Sequence, residues 1–285
     1  MTERFLILGR AGSGKTAYVL KEFYRYIKNA DTEKAIFLLP THSQTEHLKD
    51  IIIRNGPARG FVDNSIFTFS QLSREILGDD KKFHGRIASE LEKDALLKDI
   101  LEENPPQYLT KNSWDHRGLR HALLRFFKEL KEDSLYPADF KARVDTFLSG
   151  ARRNSPAARA KYEALAGVYG RFQSALEAKG LCDEDDVLNA ALKRLEGDGS
   201  VMREKEVLIA DGFHSFTPVE FRLLGLLAQR VPNIYITLVF DPEAKDSGSS
   251  IFDSCREVYG QLGAMGFKEV VLTCSERFAS SKTLA

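Results

Sequence analysis

Short apolar runs recur in the first and last thirds of the chain, and stretches with helical spacing separate them. Such runs predict buried strands of a parallel sheet, because both faces of the sheet are covered by helices. The predicted strands cover residues 4–8, 35–39, 65–69, 207–211, 234–241 and 270–272. Apolar residues at helical spacing predict helices over 17–27, 41–53, 70–77, 218–230 and 251–265.

Strand-like runs disappear between about residues 80 and 200. The predicted helices of this block begin at Ser89 and then cover 118–131, 137–148, 156–179 and 183–195. We therefore expect an α/β domain built from residues 1–79 and 201–285, with a parallel sheet and helices on both faces. Residues 80–200 are expected to form an all-helical insertion that projects from a loop of this sheet.

A phosphate-binding motif stands between the first predicted strand and the first predicted helix. Its residues are Gly9, Arg10, Ala11, Gly12, Ser13, Gly14, Lys15 and Thr16. The order of strand, glycine-rich loop and helix is the context that a P-loop requires. The motif therefore indicates a nucleoside triphosphate as ligand.

Each residue type in this loop suits a polyphosphate. Glycines let the backbone approach the ligand closely, and successive amide N–H groups form an anion-binding concavity at the start of a helix. Lys15 is expected to contact the β- and γ-phosphates, and the Thr16 hydroxyl is expected to bind Mg²⁺. The alternative is a glycine-rich turn that binds nothing.

Asp211 ends an apolar strand and is the predicted partner of Thr16 in binding Mg²⁺, which also makes it the candidate catalytic residue. Its alternative role is a turn or cap aspartate ahead of Gly212. Many ATPases have a glutamate after this aspartate to orient the attacking water, and Gly212 cannot act as a general base. Glu220 and Asp241 are the candidates to replace it, and the sequence places neither of them.

Composition narrows the class of protein. The chain has 285 residues, 43% of them apolar and 29% charged, which is typical of a globular protein of one or two domains. The 41 basic and 41 acidic residues cancel, which argues mildly against a dedicated nucleic-acid module but leaves a local basic face open. No apolar run is long enough to span a membrane. Three scattered cysteines without metal-ligand spacing favour a reduced, cytoplasmic setting.

Several segments together resemble the N-terminal part of the AddB/RexB subunits of bacterial ATP-dependent helicase–nucleases, which are relatives of UvrD-like and RecB-like helicases. The segments are GRAGSGKT, FLLPTHSQTEHL, GLCDEDDVLNAAL, VLIADGFHSFTPVE and ITLVFDPE. The P-loop alone is common to many families. Its combination with a helical block between the strands is much more specific, and the resemblance covers nearly the whole chain.

The resemblance implies a RecA-like first motor domain with a helical 1B-like insertion. It assigns residues 9–16 to ATP and Mg²⁺ binding and Asp211 to the second nucleotide motif. It assigns Pro40 and Thr41 to a strand end that contacts single-stranded DNA. It also implies an AddA/RexA-like helicase–nuclease subunit as partner and a role in double-strand-break repair.

Two further segments match the family in part. Asp241 and Pro242 resemble a segment that senses the γ-phosphate, although the glutamine expected after them is absent. Asp185 and Asp186 resemble a recurring acidic pair, and the simplest role of the acidic residues 183–186 is favourable charge at a helix N-terminus.

The departures from the family pattern shape the expected function. Gly212 replaces the glutamate, and neither a second RecA-like domain nor a nuclease domain fits within 285 residues. We expect a fragment of a longer chain that binds ATP, contacts single-stranded DNA and hydrolyses ATP weakly or not at all by itself. The alternatives are a P-loop phosphotransferase acting on a small molecule and a non-enzymatic scaffold with a vestigial nucleotide site.

Overall fold

The computed structural model describes residues 3–57, 64–78, 86–106, 116–149, 155–241 and 253–273. Its strands are β1 (Glu3–Gly9), β2 (Ala35–Leu38), β3 (Ile66–Phe67), β4 (Arg86–Ile87), β5 (Leu181–Cys182), β6 (Val207–Ala210), β7 (Asn233–Val239) and β8 (Lys268–Val271). Its helices are α1 (Lys15–Asn29), α2 (His42–Asn55), α3 (Phe69–Leu77), α4 (Glu90–Glu103), α5 (Arg117–Glu132), α6 (Pro137–Leu148), α7 (Pro156–Ala178), α8 (Glu184–Gly197), α9 (Pro218–Leu227) and α10 (Asp253–Ala264). Pro242 lies outside the described residues.

The chain divides into two compact units. The first unit comprises Met1–Ile76 and Lys193–Ala285, and the second comprises Leu77–Leu192. Across the described ranges of both units, no helix combines the length and apolar character that a membrane crossing requires.

Six strands of the first unit form one sheet in the order β3-β2-β6-β7-β1-β8, and every neighbouring pair is parallel. The predicted α/β class with a parallel sheet is therefore confirmed. Strand β1 lies inside the sheet, where Ile7 is in register with Thr237 of β7 and Val270 of β8. Because β6, β7 and β1 are consecutive neighbours, the residues that follow them meet at one edge, where ligands of such sheets bind.

Buried side chains cover both faces of the sheet. On one face, Val19 and Phe23 of α1 and Ile52 of α2 pack with Ile7 and Phe37, and the two phenylalanine rings meet edge to face at 5.2 Å. Alternate residues of a strand point to the opposite face. Those that are also buried there include Leu6, Leu8, Ile36, Leu38 and Leu208. Burial on two sides explains why these strands are unbroken apolar runs.

The start of α3 corrects one predicted boundary. A strand was expected over 65–69, but Thr68 already caps the next helix. Its hydroxyl accepts a hydrogen bond from the Gln71 amide at 3.3 Å, and its own amide donates to the Gln71 side chain at 2.8 Å. This reciprocal cap places Phe69 in the first turn of α3 and limits β3 to two residues.

The second unit is built around the aromatic residues of α5 and α7. Phe127 and Tyr169 stack at 4.8 Å, and the Tyr169 hydroxyl donates to the carbonyl of Leu135 at 3.0 Å. The expectation that this block is all-helical is wrong, because β4 and β5 form a short parallel pair. Two-residue strands carry no alternating pattern that a sequence could reveal.

A buried ion pair network joins α5 to the start of α8. The Lys131 side chain is fully buried, and its Nζ lies 2.6 Å from Asp183 Oδ2 and 2.9 Å from Asp186 Oδ1. The Asn189 side chain donates to the Lys131 carbonyl at 2.8 Å. The acidic residues therefore do more than place negative charge at a helix start, since two of them neutralise a buried lysine.

The adjacent Asp185 differs from these two carboxylates. No described residue pairs with its side chain, and burial, followed by the negative charge of Asp183, raises its pKa to about 7. The folded state therefore binds a proton that the unfolded chain releases near its ordinary pKa of 3.8. Consequently stability due to this group is greatest at low pH and falls as the pH rises towards 7.

Replacing Asp185 by asparagine should remove this pH-dependent cost. We expect Asp185→Asn to be more stable than the natural chain at pH 8, by about 2 kcal/mol, and to gain much less at pH 5. Urea unfolding at both pH values gives the free energy of unfolding of the variant and of the natural chain. Comparing the two proteins at the same pH removes the contribution of groups that titrate alike in both. Asp139→Asn, an exposed aspartate in the first turn of α6, is the control and should give no gain. An equal effect of Asp185→Asn at both pH values would contradict the raised pKa.

Candidate functional site

The loop between β1 and α1 depends on glycine at three positions. Gly12 and Gly14 have φ of +82° and +86°, which side-chain-bearing residues rarely adopt. Gly9 is needed for close packing, because a Cβ there would lie 2.4 Å from Ser13 Oγ and 2.8 Å from the Leu272 carbonyl oxygen. The loop is therefore a tight turn in which a residue with a side chain would be strained or crowded at these three positions.

The Lys15 side chain folds back onto this loop. Its Nζ donates to the carbonyl oxygens of Gly9 at 2.8 Å and Arg10 at 2.9 Å. Burial lowers the pKa of Lys15, and the nearby charge of Asp211 opposes that shift. Among the described residues no carboxylate forms a salt bridge with Lys15, so its charge is available to an anion.

The amide groups of the loop form an open cradle. The Ser13 amide donates to the Arg10 carbonyl at 3.2 Å. The loop amides that donate to no other described residue are those of Ala11, Gly12, Gly14, Lys15 and Thr16. Helix α1 has no side-chain cap and no acidic residue of its own in its first turn, so the positive end of its dipole faces the cradle.

Asp211 follows β6 and accepts hydrogen bonds from two threonine hydroxyls. Thr16 Oγ1 donates to Oδ2 at 2.8 Å, and Thr237 Oγ1 donates to Oδ1 at 2.5 Å. The Asp211 amide donates to the Leu38 carbonyl at 3.0 Å, which fixes the backbone at this point. The structure thus brings together Thr16 and Asp211, the two residues expected to bind Mg²⁺.

These groups surround one cavity of about 470 Å³. Its lining residues are Ala11, Gly12, Gly14, Lys15, Thr16, Ala17, Asp211, Gly212, Phe213, Thr237 and Val239. Gly9, Arg10 and Ser13 belong to the loop but do not line the cavity. Among the lining residues Asp211 is the one carboxylate, and Lys15 is the one cation.

Neither candidate for the missing glutamate lines this cavity. Glu220 completes the cap of α9, where its Oε2 accepts a hydrogen bond from the Thr217 amide at 2.8 Å. Asp241 lies beyond the end of β7 and pairs with the exposed Arg10 side chain at 2.9 Å. Gly212 has φ of +81°, so a glutamate at this position would also strain the backbone.

Pro40 and Thr41 follow β2 at the same edge of the sheet. A Cβ on Gly212 would lie 3.7 Å from Pro40 Cδ, so this segment borders the residue after Asp211. The Thr41 hydroxyl accepts a hydrogen bond from the Gln44 amide at 3.3 Å and caps α2. Neither residue lines the cavity, and Thr41 is exposed.

Sequence reasoning missed Thr237, which lines the cavity and touches Asp211. The signal was a single hydroxyl residue inside the apolar segment ITLVF, at a position where a buried strand has little use for a polar group. Phe213 and Val239 also line the cavity. Their apolar side chains gave no signal that distinguishes them from core residues.

Comparison with known proteins places the chain in a family. The family model described as "ADDB, N-terminal" matches residues 6–285. A protein from Anoxybacillus flavithermus, named as the B subunit of an ATP-dependent helicase/deoxyribonuclease, is 26% identical over 266 residues, which are 92% of this chain and 22% of that relative. Proteins of the same name from Pelotomaculum thermopropionicum and Bacillus mycoides are 28% and 29% identical, over 94% and 85% of this chain and 23% and 20% of the relatives.

Because the family model matches nearly the whole chain, the chain belongs to the AddB N-terminal family. The resemblance drawn from its sequence segments is therefore confirmed. The chain spans about a fifth of the length of these relatives.

The crowding at Gly9 leads to a stability prediction. Gly9→Ala should lower the free energy of unfolding by about 1–3 kcal/mol, because the added methyl group overlaps a backbone oxygen that cannot easily move. Gly263→Ala in α10 is the control, since its added Cβ meets nothing within 4 Å. The control should be neutral or more stable by up to about 1 kcal/mol. Chemical unfolding followed by circular dichroism measures both, and equal stabilities would show that the loop is not tightly packed at Gly9.

Proposed function

We propose that this chain is the nucleotide-binding, single-stranded-DNA-contacting N-terminal part of a helicase–nuclease subunit. Its first unit has a RecA-like fold and binds ATP with Mg²⁺. The observation that carries the proposal is the open cradle. Unpaired loop amides, the Lys15 charge and the Thr16–Asp211 pair all lie around one cavity of about 470 Å³.

The chemistry of the donor set fits a triphosphate and its metal ion. The loop amides and the start of α1 provide N–H donors for phosphate oxygens, and Lys15 adds a positive charge. Thr16 and Asp211 provide the hard oxygen ligands that Mg²⁺ prefers, and one carboxylate is a usual number for Mg²⁺ that also binds phosphate. Bound Mg²⁺ would neutralise part of the phosphate charge. The parallel sheet with the cradle at the end of β1 supports the RecA-like form.

The same cavity supports weak turnover. The position after Asp211, where many ATPases have a glutamate, is occupied by Gly212, which has no side chain to orient a water molecule. Glu220 and Asp241 are committed to a helix cap and to Arg10. Asp211 accepts one hydroxyl hydrogen bond on each carboxylate oxygen, and its remaining lone pairs are the ones proposed for Mg²⁺. Such a site binds ATP without efficient hydrolysis, and Asp211 acts as a metal-site residue rather than as a base.

The printed names of the relatives support the wider role. They describe the B subunit of an ATP-dependent helicase and deoxyribonuclease, and such a name presupposes at least one other subunit. We propose an AddA/RexA-like helicase–nuclease subunit as partner and double-strand-break repair as the process. The family resemblance assigns Pro40 and Thr41 to the contact with the single strand, and their place beside Gly212 at the carboxyl edge of the sheet supports this assignment. The cytoplasm is the proposed location.

Lys15→Ala should abolish the response of the chain to nucleotide. With about 1 mM ATP and excess Mg²⁺, the Tm of the natural chain should rise by about 2 °C or more, because ligand binds the folded state alone. The variant should show no rise, since it lacks the cation that contacts the phosphates. Lys21→Ala, an exposed lysine on the same helix, is the control and should respond like the natural chain.

The Tm measurement, together with an assay of ATP turnover, separates the alternatives. A natural chain that shows no rise in Tm contradicts nucleotide binding and favours the scaffold. Steady turnover of ATP by the isolated chain at about 1 s⁻¹ or faster contradicts weak hydrolysis. Turnover that depends on a small-molecule acceptor would identify a phosphotransferase.

Thr41→Asp should weaken DNA binding without unfolding α2. Aspartate caps a helix about as well as threonine, but its negative charge repels nearby phosphates. We expect the affinity for a fluorescent oligothymidylate to fall about tenfold at low salt, while the Tm stays within about 2 °C. Ser155→Asp at the cap of α7 is the matched control, and its affinity should stay near that of the natural chain. Equal affinities of Thr41→Asp and the natural chain for the oligonucleotide would contradict a contact between Thr41 and single-stranded DNA.

A further inference from the structure

Thr237 is a buried polar residue in the middle of an apolar strand. It is 1% exposed, and its neighbours Ile236 and Leu238 are equally buried in the sheet. A strand in this position needs no hydroxyl for packing, since valine has the same shape. The side chain lies instead against Asp211, with 2.5 Å between Thr237 Oγ1 and Asp211 Oδ1.

The direction of each hydrogen bond at Thr237 follows from its partners. The Gly212 amide can only donate, and it lies 3.3 Å from Thr237 Oγ1, so the hydroxyl oxygen accepts there. The single hydroxyl proton of Thr237 is left for Asp211 Oδ1. Thr237 therefore links the side chain of Asp211 to the backbone of the residue that follows it.

The donor and acceptor roles of the Thr16 hydroxyl can be assigned in the same way. Its one proton goes to Asp211 Oδ2 at 2.8 Å, which leaves the lone pairs of its oxygen without a donor among the described residues. A hydroxyl oriented in this way presents an oxygen ligand to a cation while it still donates to the carboxylate. The orientation of Thr16 is thus set by the position of the Asp211 carboxylate.

We propose that Thr237 is a positioning residue for the Mg²⁺ site, which holds the Asp211 carboxylate where it orients the Thr16 hydroxyl towards the metal ion. The inference rests on the proposed nucleotide binding and extends it to a residue on a different strand. Hydroxyls from α1 and β7 grip the two oxygens of one carboxylate that follows β6, so the carboxylate cannot rotate without breaking a bond.

Gly212 provides no side chain that could restrain the Asp211 carboxylate. The residue after Asp211 has no side chain, and its φ of +81° belongs to a turn rather than to the strand. The Asp211 backbone is held by the hydrogen bond that its N–H donates to the Leu38 carbonyl, whereas its side chain is held by the hydroxyls of Thr16 and Thr237. Partners of metal ligands commonly change metal affinity by about 10–100-fold when they are removed.

The test compares nucleotide affinity with and without magnesium ions. Titration calorimetry with ATP gives the Kd of each protein in excess Mg²⁺ and in excess EDTA. We expect Thr237→Val to weaken binding about tenfold in Mg²⁺ and to leave the Kd in EDTA unchanged. Thr237→Ser, which keeps the hydroxyl, should stay within about threefold of the natural chain in both conditions.

Two further variants keep the result interpretable. Thr45→Val removes another fully buried threonine hydroxyl, which donates to the His42 carbonyl at 2.7 Å and lies outside the cavity. It should bind ATP normally with and without Mg²⁺. Thr237→Ala replaces the valine variant if the latter does not fold, and the same loss confined to Mg²⁺ is expected.

The outcomes separate this inference from the function on which it rests. An equal loss in Mg²⁺ and EDTA, or no loss for either hydroxyl-free variant, overturns the positioning role while nucleotide binding stands. If the natural chain binds ATP neither in excess Mg²⁺ nor in excess EDTA, both the positioning role and the proposed nucleotide binding are overturned.

Discussion

Backbone hydrogen bonds hold the parallel strands β6, β7 and β1 next to one another, with Ala210 in register with Ile236 and Leu8 in register with Leu238. All chemistry at the site depends on this pairing. It brings a loop from the N-terminus of the chain to a carboxylate about two hundred residues later. A shift of one residue between β6 and β7 would turn Thr237 away from Asp211, because alternate side chains face opposite sides of the sheet.

The cavity is lined by groups suited to an anion, and none of its lining residues is placed to act as a general base for hydrolysis. Its single lysine is partly desolvated and bound to neutral carbonyl oxygens, which any incoming phosphate can replace as partner. Its single carboxylate is already engaged by two hydroxyls, so it is organised before any ligand arrives. Preorganisation of this kind favours tight binding, whereas turnover also needs a base at the place that Gly212 occupies.

The sequence predicted those parts of the fold that follow from local patterns. The strands of the central sheet are continuous apolar runs, so each was predicted within a residue or two. The boundary at Phe69 was missed because a reciprocal cap at Thr68 outweighed the strand character of the segment. The β4–β5 pair was missed because two residues are too few to show a period. Thr237 was missed because its partner is distant in sequence, and only the sheet order brings the two together.

The buried Lys131 constrains how this family member can change over time. Loss of the lysine alone would leave Asp183 and Asp186 as two uncompensated carboxylates in a buried site, whereas loss of one aspartate would still leave the lysine paired with the other. Loss of the lysine is therefore the most costly single change, while a joint change of all three to apolar residues of similar volume can be neutral or stabilising. In related chains, a change of the lysine to an apolar residue should therefore occur together with loss of both carboxylates.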